Sequence, residues 1–174
     1  MKKNTLYDGW ELQSFDEASN FRKYQMEKIK KYIKNKKILD VGSGNGGLIT
    51  YYQKETRKIS VFEPSKNLNN KLKKKFKKDE IIIFNNKNQI KQKYDTILYM
   101  DVIEHIKKYE NEINSILRKI NKKGFLIINV PAFNFLYTDF DKSVGHIKRF
   151  SKKDFYYLSK KFKLKIKKLE YYDS

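Results

Sequence analysis

The stretch Ile38-Leu39-Asp40-Val41-Gly42-Ser43-Gly44-Asn45-Gly46-Gly47 constrains the fold more than any other part of the chain. It reads as an apolar strand that runs into a glycine turn and then into a helix. Glycine lacks Cβ, so it takes positive φ cheaply and lets a ligand approach the backbone closely. Such a turn frees amide N–H groups at a helix N-terminus, where they can hold the anionic or polar part of a small molecule. A plain strand-to-helix connection would not need so many glycines together with an acid.

Two ligand classes compete for this loop. Gly42, Gly44 and Gly47 fit the dinucleotide spacing G-x-G-x-x-G. Gly42, Gly44 and Gly46, preceded by Asp40, fit a second pattern, apolar-Asp-x-Gly-x-Gly-x-Gly. Asp40 separates the two: a carboxylate at the strand end is a poor neighbour for a pyrophosphate and a good one for a ligand carrying an ammonium and a sulfonium. The second pattern resembles the first motif of class I S-adenosylmethionine (SAM)-dependent methyltransferases. On that resemblance SAM is the expected cofactor, with Asp40, Gly42, Ser43, Gly44, Asn45 and Gly46 around it.

The order of elements supports an α/β reading. Phe21, Tyr24, Ile29, Tyr32 and Ile33 share one face of a helix expected over about residues 20–34. Strands are expected at Lys37–Val41, Lys58–Glu63, Glu80–Phe84, Tyr94–Met100 and Phe125–Val130, with helices between them. Ile113, Ile116, Leu117 and Ile120 mark a helical face that Gly124 should stop. Leu164–Leu169 alternates apolar residues with lysine and is expected to be a sixth strand. The whole is a doubly wound, Rossmann-like parallel sheet, whose ligands sit at the carboxyl ends of its strands. Asp40, the glycines, Glu63, Asn85 and Asp101 all fall at such ends.

Glu63 lies 23 positions after Asp40, close to the offset at which these folds place an acid on ribose hydroxyls. A carboxylate can accept two hydrogen bonds from a vicinal diol. Pro64 beside it, Asn85 and Asn86 after the third strand, and Met100 and Asp101 after the fourth complete the expected cofactor contacts. Residues 131–150 show no strand or helix pattern but carry Phe133, Phe135, Tyr137, Phe140 and Phe150, which suits the wall of an acceptor pocket. His146 in this loop is the candidate general base and Asp141 its orienting partner. His105 follows Glu104 at a helix start, where both are expected to bond exposed amides. No His/Asp/Glu cluster has metal-ligand spacing, so no metal is expected. Residues 1–20 lack a clear period and are a candidate lid.

Composition narrows the classes. The chain has 174 residues, enough for one domain with a core. It has no cysteine, which excludes disulfides, a Cys-based zinc site and a cysteine nucleophile. The net charge of +20 would attract nucleic acid or an anionic membrane. Yet Arg22, Arg57, Arg118 and Arg149 are the only arginines, and lysine, asparagine and isoleucine are residues of AT-rich codons. Genome composition therefore explains the charge better than a nucleic-acid partner does. No apolar run reaches a membrane span, and the N-terminus shows no signal peptide. A soluble, cytoplasmic protein is the expectation.

Over residues 20–174 the chain resembles the bacterial class I SAM-dependent methyltransferases, the broad group that includes small-molecule and quinone-pathway O-methyltransferases. The matching residues are Ile38–Gly46, Val61-Phe62-Glu63-Pro64, Tyr94–Ile106 with Asp-Val-Ile-Glu-His-Ile, and Gly145-His146-Ile147-Lys148-Arg149-Phe150. The resemblance implies a methyltransferase domain over 21–174 and methyl transfer to a small-molecule acceptor, a hydroxyl oxygen in the leading reading. It also implies a seventh, antiparallel strand, for which the sequence after the sixth leaves no room. The rivals are a nucleic-acid methyltransferase, a non-catalytic SAM-binding partner subunit and an NAD-binding oxidoreductase. Against the first, Met100-Asp101-Val102-Ile103 stands where amino-methylating enzymes carry Asn/Asp-Pro-Pro-aromatic.

Overall fold

The computed structural model describes residues 12, 17–77 and 80–172. After a first helix, α1 (Ser19–Ile33), come β1 (Lys37–Val41), the short α2 (Ile49–Tyr52), β2 (Lys58–Phe62), α3 (Lys66–Lys75) and β3 (Ile81–Phe84). Then follow β4 (Tyr94–Met100), α4 (Tyr109–Leu117), β5 (Ile120–Asn129), α5 (Asp139–Ser143) and α6 (Lys152–Lys161). The strands form one parallel sheet in the order β3-β2-β1-β4-β5. Neighbouring β1 and β4 leave in opposite directions along the sheet, so a crevice opens outside their carboxyl ends.

Alternation along the strands builds a core on each face of the sheet. Ile38, Val61 and Leu98 pack with Met26, Ile29 and Ile33 of α1, Tyr52 of α2 and Leu72 of α3. Leu39, Val41, Ile97 and Tyr99 pack on the other face with Ile113 and Ile116 of α4 and Leu158 of α6. Strands covered on both sides read as continuous apolar runs. Among the described residues no helix is long and apolar enough to cross a membrane.

Three local expectations need correction. Ile120 is not on the helix: α4 stops at Leu117, and Ile120 opens β5 opposite Tyr94. The ladder then slips between Tyr94 and Thr96, so Thr96 faces Phe125 and residues 121–124 form a bulge. Gly124 sits inside that bulge because a Cβ there would come 2.8 Å from the Asp95 carbonyl. Second, Leu164–Leu169 joins no ladder and leaves β5 at the edge. The tail is tied elsewhere: Ser159 Oγ donates to the Leu164 carbonyl at 2.9 Å, Glu170 pairs with Lys28 of α1, and Tyr172 packs against Phe21 and Tyr24. Third, residues 131–150 are not structureless. They hold a 3-10 turn at Asn134–Leu136 and helix α5, started by a capping box in which Thr138 and Asp141 bond reciprocally.

Candidate active site

The turn after β1 has the backbone its glycines allow. Gly42, Gly44 and Gly46 all have positive φ, at 72°, 59° and 76°. Space is a second reason for Gly46, where a Cβ would stand 2.7 Å from both Leu72 and Phe76. Glu63, at the end of β2, braces the turn from the side. One of its oxygens accepts the Gly44 N–H and the other the Ser65 N–H, each at 2.9 Å. Leu12 closes over Gly44, with 2.9 Å from its Cδ1 to the position of a Cβ. Of the candidate lid, residues 1–11 and 13–16 lie outside the described residues.

Asp40 is buried beneath this turn and accepts a 2.6 Å hydrogen bond from the Tyr52 hydroxyl. Burial drives its pKa up to about 7; the Tyr52 bond opposes the rise, Glu63 adds to it and Arg22 opposes it. Burial raises Glu63 as well, against its two backbone bonds. Asp101 follows β4 in a left-handed conformation (φ 58°) that is uncommon outside glycine. Its carboxylate takes a 2.7 Å bond from Asn129 of β5, and burial lifts its pKa to about 6. Asp40, Glu63, Asp101 and Glu104 thus gather at one crevice of a chain whose net charge is +20. Such a concentration of buried acids stands out against that background. Ser43 Oγ, in the same crevice, is buried with no hydrogen-bond partner among the described residues.

At the far end the 131–150 segment folds over the crevice. His146 Nδ1 lies 2.8 Å from Asp141 Oδ1 and donates to it. Asp141 is fully buried and also accepts two bonds of 2.9 Å from Arg149 and one from the Thr138 N–H. Burial pushes the Asp141 carboxyl up, but the Arg149, His146 and Thr138 bonds together hold it well below the usual carboxylate range. The bond to Asp141 leaves His146 Nε2 as the acceptor, directed toward Glu104 Oε1 at 4.0 Å. The His105 ring meets His146 edge to face, centroids 4.8 Å apart. Burial, then the neighbouring His146, lowers the His105 pKa to about 4.

The structure brings Asp40, Gly42, Ser43, Gly44, Asn45, Glu63, Pro64, Met100, Asp101 and His146 to one crevice. Gly46 supports it from behind, and Asp141 holds His146. Asn85 and Asn86 stand apart. Both are exposed, their N–H groups donate to Gln89 Oε1, and Asn86 caps the Lys87–Gln89 turn. Glu104 also departs from expectation: among the described residues its carboxylate meets no amide of another residue, only its own backbone N–H. Sequence reasoning missed Arg22, a buried arginine of α1 that faces the crevice and opposes the rise at both Asp40 and Asp101. An arginine in an otherwise lysine-rich helix was the available signal. Tyr52 and Asn129, which hold Asp40 and Asp101, gave none.

Residues 15–168 match the methyltransferase domain model. Solved structures share the fold. A SAM-dependent methyltransferase from Archaeoglobus fulgidus superposes with a TM-score of 0.65 at 15% identity, covering 82% of this chain and 67% of that one. A methyltransferase from Haloferax volcanii, solved with a methyltransferase activator, gives 0.67 at 12% identity over 89% and 74%. Coclaurine N-methyltransferase, solved with N-methylheliamine and S-adenosylhomocysteine, gives 0.63 at 19% identity; the match covers 82% of this chain but only 48% of that enzyme, about half its length. No curated protein matches the sequence.

Proposed function

The chain belongs to the methyltransferase-domain family, and from that premise we propose that it transfers a methyl group from SAM to a hydroxyl oxygen of a small-molecule acceptor. The observation that carries the reading is the acid-braced glycine turn, with Asp40 below it and Glu63 beside it in a crevice rich in buried acids. Bound SAM supplies a methyl already activated on a sulfonium. The residues present fit it: a Ser43 hydroxyl with no partner among the described residues, and carboxylates for its cationic groups and its diol. Asp40, with Arg22 next to it, faces the amino-acid end, and Glu63 the ribose. Glu63 keeps lone pairs for a diol beyond the two N–H bonds it already accepts.

Methyl transfer is an in-line displacement, so the protein chiefly holds the two reactants in line, worth up to ~7–11 kcal/mol in good cases. The hydroxyl proton goes to His146 Nε2, while Asp141, itself held by Arg149, fixes the orientation of the ring. General-base help of this kind typically contributes ~10²–10⁴ in rate. The test is release of S-adenosylhomocysteine from SAM across a panel of phenols and sugar alcohols, with wild type and His146→Ala. Turnover of at least one hydroxyl acceptor is expected, with a drop in kcat of about 10²-fold or more in the variant. Turnover confined to amines, or a variant as fast as wild type, contradicts it.

A further inference from the structure

Glu104 and His105 arrive on the turn after β4, and His146 arrives from the other side of the crevice on the 131–150 segment. One donor atom from each lies within 4.8 Å of the others. Glu104 is fully buried, and among the described residues neither carboxylate oxygen has a hydrogen-bond partner beyond its own backbone N–H. His146 Nε2, at 4.0 Å, is too distant to be one. A carboxylate desolvated this completely calls for a proton or a cation beside it.

The imidazoles are braced from behind. Asp141 takes the Nδ1–H of His146 at 2.8 Å and is itself clamped by Arg149. The His105 ring is hydrogen-bonded to the Gly145 backbone. Metal-ligating histidines are commonly held in this way, one ring nitrogen on a carboxylate or backbone carbonyl and the other on the ion. Residues 104, 105 and 146 form no recognisable metal-ligand spacing, so the chain alone shows no sign of a metal.

We propose that Glu104, His105 and His146 form a binding site for one divalent transition-metal ion of the zinc class. Two imidazoles and a carboxylate suit such an ion better than magnesium or calcium, which take oxygen shells. Ligand bonds of about 2.0–2.2 Å put donor atoms at most ~4.4 Å apart. At tetrahedral angles the donors stand roughly 3.3–3.6 Å apart, so the 4.8 Å spacing closes by more than about an ångström on binding. Three protein ligands leave a further coordination position, the pattern of catalytic rather than structural zinc sites. An acceptor oxygen placed there would be acidified by the ion, and His146 would then serve as ligand instead of base. The site stands independently of the SAM reading.

The test uses tag-free, chelator-stripped full chain titrated with cobalt(II) chloride, followed by visible d–d absorption, and then with zinc chloride. One equivalent of cobalt should give intense bands that zinc bleaches. Glu104→Gln and His146→Ala should each weaken binding at least tenfold, and Asp141→Asn by about 10–100-fold. Wild-type bands no stronger than aqueous cobalt overturn the proposal, as does binding that Glu104→Gln leaves unchanged. Should the Glu104 variant fail to fold by circular dichroism, the wild-type spectrum decides alone. Heat of S-adenosylhomocysteine binding to the same metal-free sample reports separately on the donor site.

Discussion

Replacing Glu63 by glutamine separates the brace from the ligand contact. The carboxylate accepts the Gly44 and Ser65 N–H groups with one oxygen each. Glutamine keeps one acceptor and sets an NH₂ against the other N–H. Leaving a buried donor unmet costs about 1–3 kcal/mol. Part is recovered, because burial disfavours the charge that glutamine removes. A net loss of about 1–2 kcal/mol follows, which at a urea m-value of about 2 kcal/mol/M moves the midpoint down by roughly 0.5–1 M. Glutamine can also accept from only one hydroxyl of a ribose diol. Bonds to charged groups are worth about 1.5–3 kcal/mol, so S-adenosylhomocysteine should bind about 10–100-fold more weakly to the fully folded variant. Urea unfolding and calorimetry measure the two effects. Glu63→Gln with wild-type affinity would refute the ribose contact, and an unchanged midpoint would refute the brace.

Other expectations rest on single contacts. Asp141→Asn strips the Arg149 guanidinium of its charged partner inside the 131–150 segment; breaking a buried pair costs about 3–5 kcal/mol, so the melting temperature should fall by at least about 6 °C in thermal denaturation. Gly46→Ala must hold φ 76° and push a methyl against Leu72 and Phe76; left-handed strain of ~1–2 kcal/mol plus overpacking of ~1–3 kcal/mol predicts a loss of about 3 kcal/mol by urea unfolding. Asp40 gives a pH signature. Below the unfolded value of 3.8 both states are protonated, whereas between there and about 7 the folded protein retains a proton that the unfolded chain has lost. This group's contribution therefore falls as pH rises through that window, by on the order of 4 kcal/mol, and is fully lost above it. The stability difference between wild type and Asp40→Asn should move against wild type by that order between pH 4 and pH 8, and a flat difference would contradict the burial account.

Much of this was legible in the chain because the relevant signals are local. The glycine turn and the apolar strands each depend on neighbours a few positions apart. Positions fixed by tertiary contact were not legible. Ile120 fits a helical face, yet pairing with Tyr94 claims it for β5. Leu164–Leu169 has strand alternation, but it joins no ladder, and Glu170 and Tyr172 beyond it contact α1 instead. The site divides in the same way. Asp40 and Glu63 follow from strand ends, whereas Arg22 and the meeting of Glu104 with His146 come only from folding distant segments together. Asn86 shows that a strand-end amide can also serve locally, its side chain capping the Lys87–Gln89 turn.

The central claim is that the crevice beside Asp40 binds the nucleoside and amino-acid parts that SAM shares with its thioether product. Calorimetric titration of the full chain with S-adenosylhomocysteine and, separately, NADH tests it most directly. The account predicts saturable one-site binding of S-adenosylhomocysteine, lost in Asp40→Ala, and no heat from NADH at the same concentration. Binding of NADH with none of S-adenosylhomocysteine would contradict it.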